Sequence, residues 1–350
     1  TFTLDVVWGD PLSPDDVEQV TLPAGTTDFT LTHQYLDDNG SGDPSNDYSI
    51  GLKLTDDDSG VGTGTQTVTV NNVAPLLGSL EATTIDESGT TTLTGTITDP
   101  GTQDTFTLDV VWGDPLSPNN VEKVTLPAGT TDFALTHQYL DDKPGPYPSD
   151  DYTITLTLTD DDTGVGTGST TVTVNNVAPT IQPTGESTVD EGAPYSLTLG
   201  AVTDPGKDTV TEFVVHWGDG SSDSYTSTSG VTHTYADGGF VPTITVDLTD
   251  EDGTHVDAGS LSLTVNNVAP ELTVSDEQVA HFETLAVEFP FSDPGFDAPN
   301  NDPATVEEFT ATIDWGDGVE VTVAVSKTPG SVGILTTGTV SGTHFYSSDG

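Results

Sequence analysis

Residues 152–159 read Tyr-Thr-Ile-Thr-Leu-Thr-Leu-Thr, a strict alternation of apolar and polar positions. This period of two predicts a β-strand with Tyr152, Ile154, Leu156 and Leu158 turned to a core and the threonines turned outward. Further candidate strands are Ser88 to Thr98, Phe106 to Trp112, Val121 to Leu126, Phe133 to Tyr139 and Ser169 to Val174. Along the second of these, Phe106, Leu108, Val110 and Trp112 share one face. Asp99-Pro100-Gly101 is a turn signal, and Asp160 to Gly168 is predicted as a longer turn. Thr and Val favour strands, whereas Gly, Pro, Asp and Asn favour turns. No stretch carries the period of a long amphipathic helix.

The pattern repeats. Trp-Gly-Asp begins at Trp8, Trp112, Trp217 and Trp315, at spacings of 104, 105 and 98 residues. Residues 1–75 align without a gap on 105–179, with 16 differences. Asn-Asn-Val-Ala-Pro closes three of the repeats, at Asn71 to Pro75, Asn175 to Pro179 and Asn266 to Pro270. Each copy ends an alternating run, and its Pro forbids the strand from continuing. These stretches are expected to be short joints between domains. About seven short strands per period, with Trp on the third, predict an all-β chain of tandem immunoglobulin-like sandwiches arranged end to end. The expected domains are 1–75 (lacking its first strands), 76–179, 180–270 and 271–350 (lacking its last strands). Half a sandwich cannot bury its inner face, so the sequence reads as a window from a longer chain.

Composition narrows the function classes. Against 57 acidic residues stand five lysines and no arginine, for a net charge of -52. Binding nucleic acid requires cations against phosphate, so that class is excluded, and an anionic membrane surface is equally unsuitable. A chain this acidic repels itself unless salt or bound cations screen it. With no cysteine there is neither a disulfide framework nor a thiolate metal site. No apolar run is long enough to span a bilayer, and no signal peptide is visible.

Trp217-Gly-Asp-Gly220, His233-Thr-Tyr235, Ile244-Thr-Val-Asp-Leu-Thr-Asp-Glu-Asp-Gly253 and the closing Val-Asn-Asn-Val-Ala-Pro270 resemble polycystic-kidney-disease (PKD) domain repeats. The bacterial and archaeal cell-surface versions are the most similar. The first two repeats depart from that pattern, with Trp-Gly-Asp-Pro for Trp-Gly-Asp-Gly and a longer segment before His-x-Tyr. The resemblance implies immunoglobulin-like sandwiches serving as spacers, adhesive modules or accessory domains of secreted enzymes, without catalytic activity of their own.

The acids cluster in the turns. If the strands run up and down, loops alternate between the two ends of a domain. Asp99, Asp104, Asp160, Asp161 and Asp162 then share one end of the second domain. Asp86, Glu87, Asp114 and the pair Asp141-Asp142 share the other, with the linker Asn175-Asn176. The third domain repeats this with Asp204, Asp208, Asp250, Glu251 and Asp252 at one end and Asp190, Glu191 and Asp219 at the other. Oxygen ligands gathered without Cys suit Ca2+, which takes six to eight oxygens in flexible geometry. The expected metal ligands are accordingly Asp86, Glu87, Asp99, Asp104, Asp114, Asp160, Asp161, Asp162, Asn175, Asn176, Asp190, Glu191, Asp204, Asp208, Asp250 and Asp252. The arrangement is similar to the cadherin joint, where an Asn-rich linker ending in Ala-Pro shares calcium between neighbours. No EF-hand loop is present. The plain alternative is that Asp and Asn populate any turn because they tolerate its backbone.

His-x-Tyr recurs at His33, His137, His233 and His344. It reads as scaffold, the Tyr resembling a tyrosine corner and the Trp residues serving the core. Asp86-Glu87 is a poor acid/base pair, because neighbours in a strand face opposite sides. No Gly-x-Ser-x-Gly, His-Glu-x-x-His or phosphate-binding loop occurs. Asn39-Gly-Ser41 is a glycosylation sequon. Three readings follow: an extracellular structural or adhesive array stiffened by calcium, a spacer or binding region of a large secreted hydrolase, and a halophile surface protein whose charge serves solubility. Candidate partners are neighbouring repeats, identical chains in a filament or layer, and cell-surface polysaccharide.

Overall fold

The alternating runs become antiparallel ladders. The computed structural model describes residues 1–38, 42–143, 145, 147–280, 282–301 and 304–347, so the sequon Asn39 to Ser41 lies outside the described residues. The chain divides into two units, Thr1–Lys143 with Tyr147–Asn176, and Val177–Gly350 with the short 144–146 segment. Among the described residues every regular element is a strand. The chain is a tandem all-β array of immunoglobulin-like sandwiches.

In the first unit the strands are β1 (Phe2–Val7), β2 (Val17–Leu22), β3 (Ser45–Asp56), β4 (Val61–Asn71), β5 (Leu76–Ala82), β6 (Ile85–Asp86), β7 (Thr90–Thr98), β8 (Phe106–Val111), β9 (Val121–Leu126), β10 (Asp132–Gln138), β11 (Ser149–Asp160) and β12 (Val165–Asn175). The first repeat is one sheet, ordered β2-β1-β3-β4. The second is a two-sheet sandwich, β10-β7-β5 against β6-β12-β11-β8-β9. Leu93, Ile97 and Phe133 of the smaller sheet meet Leu108, Val110, Ile154, Leu156, Leu158 and Val172 of the larger. Each such side chain gains about 1.5–3 kcal/mol by leaving water. β4 and β12 stop at Asn71 and Asn175, where the Asn-Asn-Val-Ala-Pro stretch begins.

Two elements differ from expectation. The turn after β11 is short, closed by an Asp160 N–H to Gly164 O bond of 3.1 Å, and β12 already starts at Val165. Gly166 belongs to the strand because β5 lies against it: a Cβ there would sit 2.3 Å from the Pro75 carbonyl oxygen. Residues 29–35 form no strand, although their sequence matches 133–139 at all but one position. β10 owes its ladder to β7, and the described part of the first repeat has no counterpart of β7. Propensity without a partner does not make a strand.

The second unit continues the plan. In the third repeat, Ser222–Tyr225, Glu212–His216, Thr243–Thr249 and Thr254–Ser262 form one sheet in that order. Thr184–Gly185, Pro194–Thr198 and Val231–Thr234 form another, and Leu197, Trp217, Ile244 and Val265 are fully buried in the core. The fourth repeat is a five-stranded sheet ordered Glu271–Leu272, Thr284–Asp293, Thr336–Phe345, Glu320–Thr328, Ala311–Asp314.

Trp-Gly-Asp and His-x-Tyr form one device, present four times. The imidazoles of His33, His137, His233 and His344 stack on Trp8, Trp112, Trp217 and Trp315 at 5.0, 4.8, 4.6 and 5.0 Å. Their Nε2 atoms donate to Asp10, Asp114, Asp219 and Asp317 at 3.0, 3.2, 2.9 and 2.8 Å. The hydroxyls of Tyr35, Tyr139, Tyr235 and Tyr346 donate to the Trp carbonyls at 3.0, 2.7, 2.9 and 3.0 Å. Burial pushes the Asp219 carboxyl up, but bonds from His233 and Ser221 outweigh it and hold the group at about 2. The device fixes the chain direction just before the acidic pair Asp37-Asp38 and its counterparts.

Replacing Tyr139 by Phe removes one buried hydrogen bond and strands the Trp112 carbonyl. The expected cost is about 1–2 kcal/mol, a drop of several degrees in the melting of that sandwich. Calorimetry of the whole chain checks it, and an unchanged melting profile would contradict the role given to the hydroxyl.

Candidate cation sites

The first unit gathers carboxylates from three loops. The loop between β7 and β8 supplies Asp99 and Asp104. The turn between β11 and β12 supplies Asp160, Asp161 and Asp162. The loop after Tyr35 in the first repeat supplies Asp37 and Asp38. Their oxygens form three triads, each with its atoms within 4.8 Å of one another: Asp37, Asp38 and Asp162; Asp104, Asp161 and Asp162; Asp99, Asp104 and Asp160. All five ligands expected at this end of the second repeat are therefore brought together. Asp37 and Asp38 were not among the expected ligands, although they align with Asp141-Asp142.

Local bonds position each group. Asp160 Oδ1 accepts the N–H groups of Asp162 (3.1 Å) and Gly164 (2.6 Å). Its Oδ2 accepts the Asn72 side-chain amide at 2.9 Å, which anchors the linker. A Cβ on Gly164 would sit 2.8 Å from both Asn72 Nδ2 and Ala74 Cα, so this position keeps room for the linker. Asp162 Oδ1 accepts the Gly42 N–H at 2.9 Å, and the Thr102 N–H donates to Leu36 O at 3.2 Å. Asp161 Oδ1 accepts the Thr105 N–H at 2.7 Å and Asp99 Oδ1 the Gly101 N–H at 2.8 Å.

Asp37 Oδ1 accepts the Asp38 N–H at 2.8 Å, but four other oxygens lack donors. Asp162 is 0%, Asp104 2% and Asp38 3% exposed. Asp162 Oδ2, Asp104 Oδ1, Asp38 Oδ2 and Asp99 Oδ2 are buried without a hydrogen-bond partner. Burial and the facing carboxylate of Asp162 push Asp38 up to about 7. Burial and Asp37 push Asp104 up to about 8, and burial also raises Asp99. Such groups share a site only if protons or a cation neutralise them. The donor set is all oxygen, which suits a hard divalent cation.

A second cluster lies within the second unit. Glu191, Asp237 and Glu307 bring carboxylate oxygens within 4.8 Å of one another. Glu191 is 2% exposed; its Oε1 accepts the Val268 N–H at 2.7 Å, and its Oε2 is buried without a partner. Burial, then Asp237, Asp293 and Glu191, push Glu307 up to about 7 against the opposing pull of Lys327. Glu307 was not expected from sequence, yet it stands two residues before Phe309 as Asp104 stands before Phe106.

The remaining expected ligands make local contacts, and Glu87 also brings a carboxylate oxygen within 4.8 Å of those of Asp141 and Asp142. Asp114 accepts from His137 and from the N–H groups of Leu116 and Ser117, a structural role inside the second repeat. Asp86 and Asp190 accept the side-chain amides of Asn175 and Asn266, both at 3.0 Å. Glu87 is buried, with its N–H on the Asn175 carbonyl at 2.9 Å, and the Asn176 N–H donates to Pro148 O. Asp250 pairs with His255 at 2.9 Å and takes the Asp252 N–H at 3.0 Å. Asp204 Oδ1 accepts the Gly206 N–H, and Asp208 is half-buried.

No family model matches the chain, and no curated protein matches it in sequence. Among solved structures it is similar to a tetra-tandem repeat in the extending region of a large adhesion protein, at 16% identity and TM-score 0.43 over 96% of this chain and 82% of that one. It is similar to Dpr2 Ig1-Ig2 in complex with DIP-Theta Ig1-Ig3, at 10% identity and TM-score 0.29 over 79% and 91%. It is also similar to the fibronectin(III)-like modules of Clostridium thermocellum CbhA, at 15% identity and TM-score 0.22 over 55% and 94%. At these scores no functional statement follows from any of them.

Folding without cations retains protons on Asp38 and Asp104 that the unfolded chain, with carboxyls near 4, has already released. Stability of the chelated chain therefore falls as pH rises from about 4 towards 8, because the folded state binds more protons in that window. Melting temperature against pH in chelator checks this. The slope should flatten in Asp38→Asn with Asp104→Asn, and an equal slope in wild type and variant would contradict it.

Proposed function

We propose that this chain is a segment of a non-catalytic structural or adhesive array of the cell surface, with Ca2+ held by loop carboxylates fixing one repeat to the next. The observation that carries this reading is the set of triads in the first unit. Asp37 and Asp38 come from the first repeat, and Asp162 from the second. A cation between them joins two repeats, and the Asn72 amide on Asp160 holds the linker against the same loop. The repeated histidines engage the Trp–Asp device, which supports a scaffold rather than an active site. A net charge of -52 supports a second reading, in which monovalent salt screens the chain and no specific metal is needed.

Thermal unfolding at fixed ionic strength separates the two. Each independent site stabilises by about 2.7 kcal/mol when free calcium is a hundredfold above its Kd, so micromolar-to-millimolar calcium should raise the melting of the linked sandwiches by several degrees. Limited proteolysis should show the chain at Asp37-Asp38 and the linker 72–75 protected by calcium and exposed by chelator. Melting that follows sodium chloride alone, with proteolysis indifferent to calcium, would overturn the proposal.

A further inference from the structure

We propose that the open apolar face of the first repeat is a receptor for a strand pair of the β5–β7 type, which pairs with residues 29–35 and completes that sandwich. The proposal is independent of the cation reading. Phe2, Leu4, Leu22, Phe29, Leu52 and Leu54 line a groove of about 380 Å³ on the sheet β2-β1-β3-β4. All six have identical equivalents 104 positions later. In the second repeat those equivalents pack with Leu77 and Leu80 of β5 and with Leu93 and Ile97 of β7. The cover decides their exposure: Phe29 is 50% and Leu54 37% exposed, against 7% for Phe133 and 0% for Leu158.

Two glycines of β4 match the covered form. Gly62 and Gly64 are exposed, with no atom within 4 Å of where a Cβ would stand. At their equivalents, Gly166 and Gly168, a Cβ would lie 2.3 Å from the Pro75 carbonyl oxygen and 2.6 Å from the Leu80 side chain. The first repeat therefore carries the clearance that a covering strand needs. β7 sets what the occupant must read. Its Leu93, Gly95 and Ile97 share the inner face, and Phe133 stands opposite Gly95 in the ladder. A Cβ at Gly95 would sit 2.4 Å from Phe133 Cζ, so the ring takes the place of a side chain. Phe29 and Leu31 repeat Phe133 and Leu135 on a segment that forms no strand. The fitting partner is an antiparallel strand reading Leu-x-Gly-x-Ile, with its Gly opposite Phe29, preceded by an apolar strand that lies along β4. Backbone pairing supplies affinity, and the alternating side chains supply specificity. β5 and β7 themselves are engaged in the second repeat, so a separate strand pair of this chemistry is required.

The probe is a labelled synthetic peptide of residues 75–98, titrated by fluorescence anisotropy into the whole chain at an ionic strength that screens their like charges. Saturable one-to-one binding is expected, with amide exchange slowed at residues 29–35. A peptide carrying Leu93→Asp with Ile97→Asp should bind about tenfold more weakly or worse. Gly95→Val should also weaken it, because the added side chain meets Phe29. In the chain, Gly62→Val should abolish binding and leave the melting of the free chain unchanged, because nothing faces that position. Absence of binding overturns the proposal. So does binding that ignores Gly62→Val, which would mean exchange into the second repeat. A dimer of the free chain that excess peptide leaves intact would put a second copy on the face and overturn it as well.

Discussion

Carboxylates held within ligand distance of one another, and away from water, cannot all be ionised unless positive charge lies between them. Asp38, Asp104 and Asp162 are almost fully buried and face one another across two repeats. The chain has five lysines to offer against 57 acids, and Lys53, Lys123 and Lys327 pair with Asp5, Asp109 and Asp297. The cluster therefore calls for positive charge, as protons or as a cation. Protons on the raised carboxyls of Asp38 and Asp104 supply it, and the proposed calcium would take their place. Everything else in the repeat can be read as the means of holding these acids in place.

The main holding device is the quartet of Trp, His, Asp and Tyr. Its Tyr hydroxyl pins the chain to the Trp carbonyl two residues before Asp37 in the first repeat and two before Asp237 in the third. Its Asp accepts a hydrogen bond from the stacked His, at 3.0 Å in the first repeat and 2.9 Å in the third. On the facing repeat, β11 and β12 set the turn that carries Asp160 to Asp162, with bonds from Asp160 to the N–H groups of Asp162 and Gly164. Core packing therefore reaches the site through rigid strand ends. The loops themselves contribute little more than side-chain length.

Much of this was legible in the sequence. Period-two alternation located β8, β9 and β11, because a half-buried strand writes its faces directly into the residue order. Grouping Asp99 and Asp104 with Asp160 to Asp162 needed only the alternation of loops between sandwich ends. Other parts were not legible. Residues 29–35 have strand composition but no ladder partner, and pairing is a non-local property. Asp114 looked like any turn acid until its partner His137, 23 residues away, was seen. The parallel pairing of β6 with β12 sets Asp86 against Asn175, and no local pattern announces it.

Comparison of the two clusters shows what the repeats keep. Asp237 occupies the position of Asp37, while Gly238 replaces Asp38, so the third repeat offers one acid after its Tyr where the first offers two. Glu307 occupies the position of Asp104 with one more methylene, and it still reaches Glu191 and Asp237. A shorter acid supply on one side is matched by a longer side chain on the other. Such compensation is expected if the conserved quantity is a cation-sized set of oxygens rather than a particular residue, because calcium tolerates variation in ligand number and geometry. Turn propensity alone would account for Asp and Asn in these loops. It gives no reason for a Glu to be buried beside two other carboxylates, where burial and then their charge push its titration up to about 7.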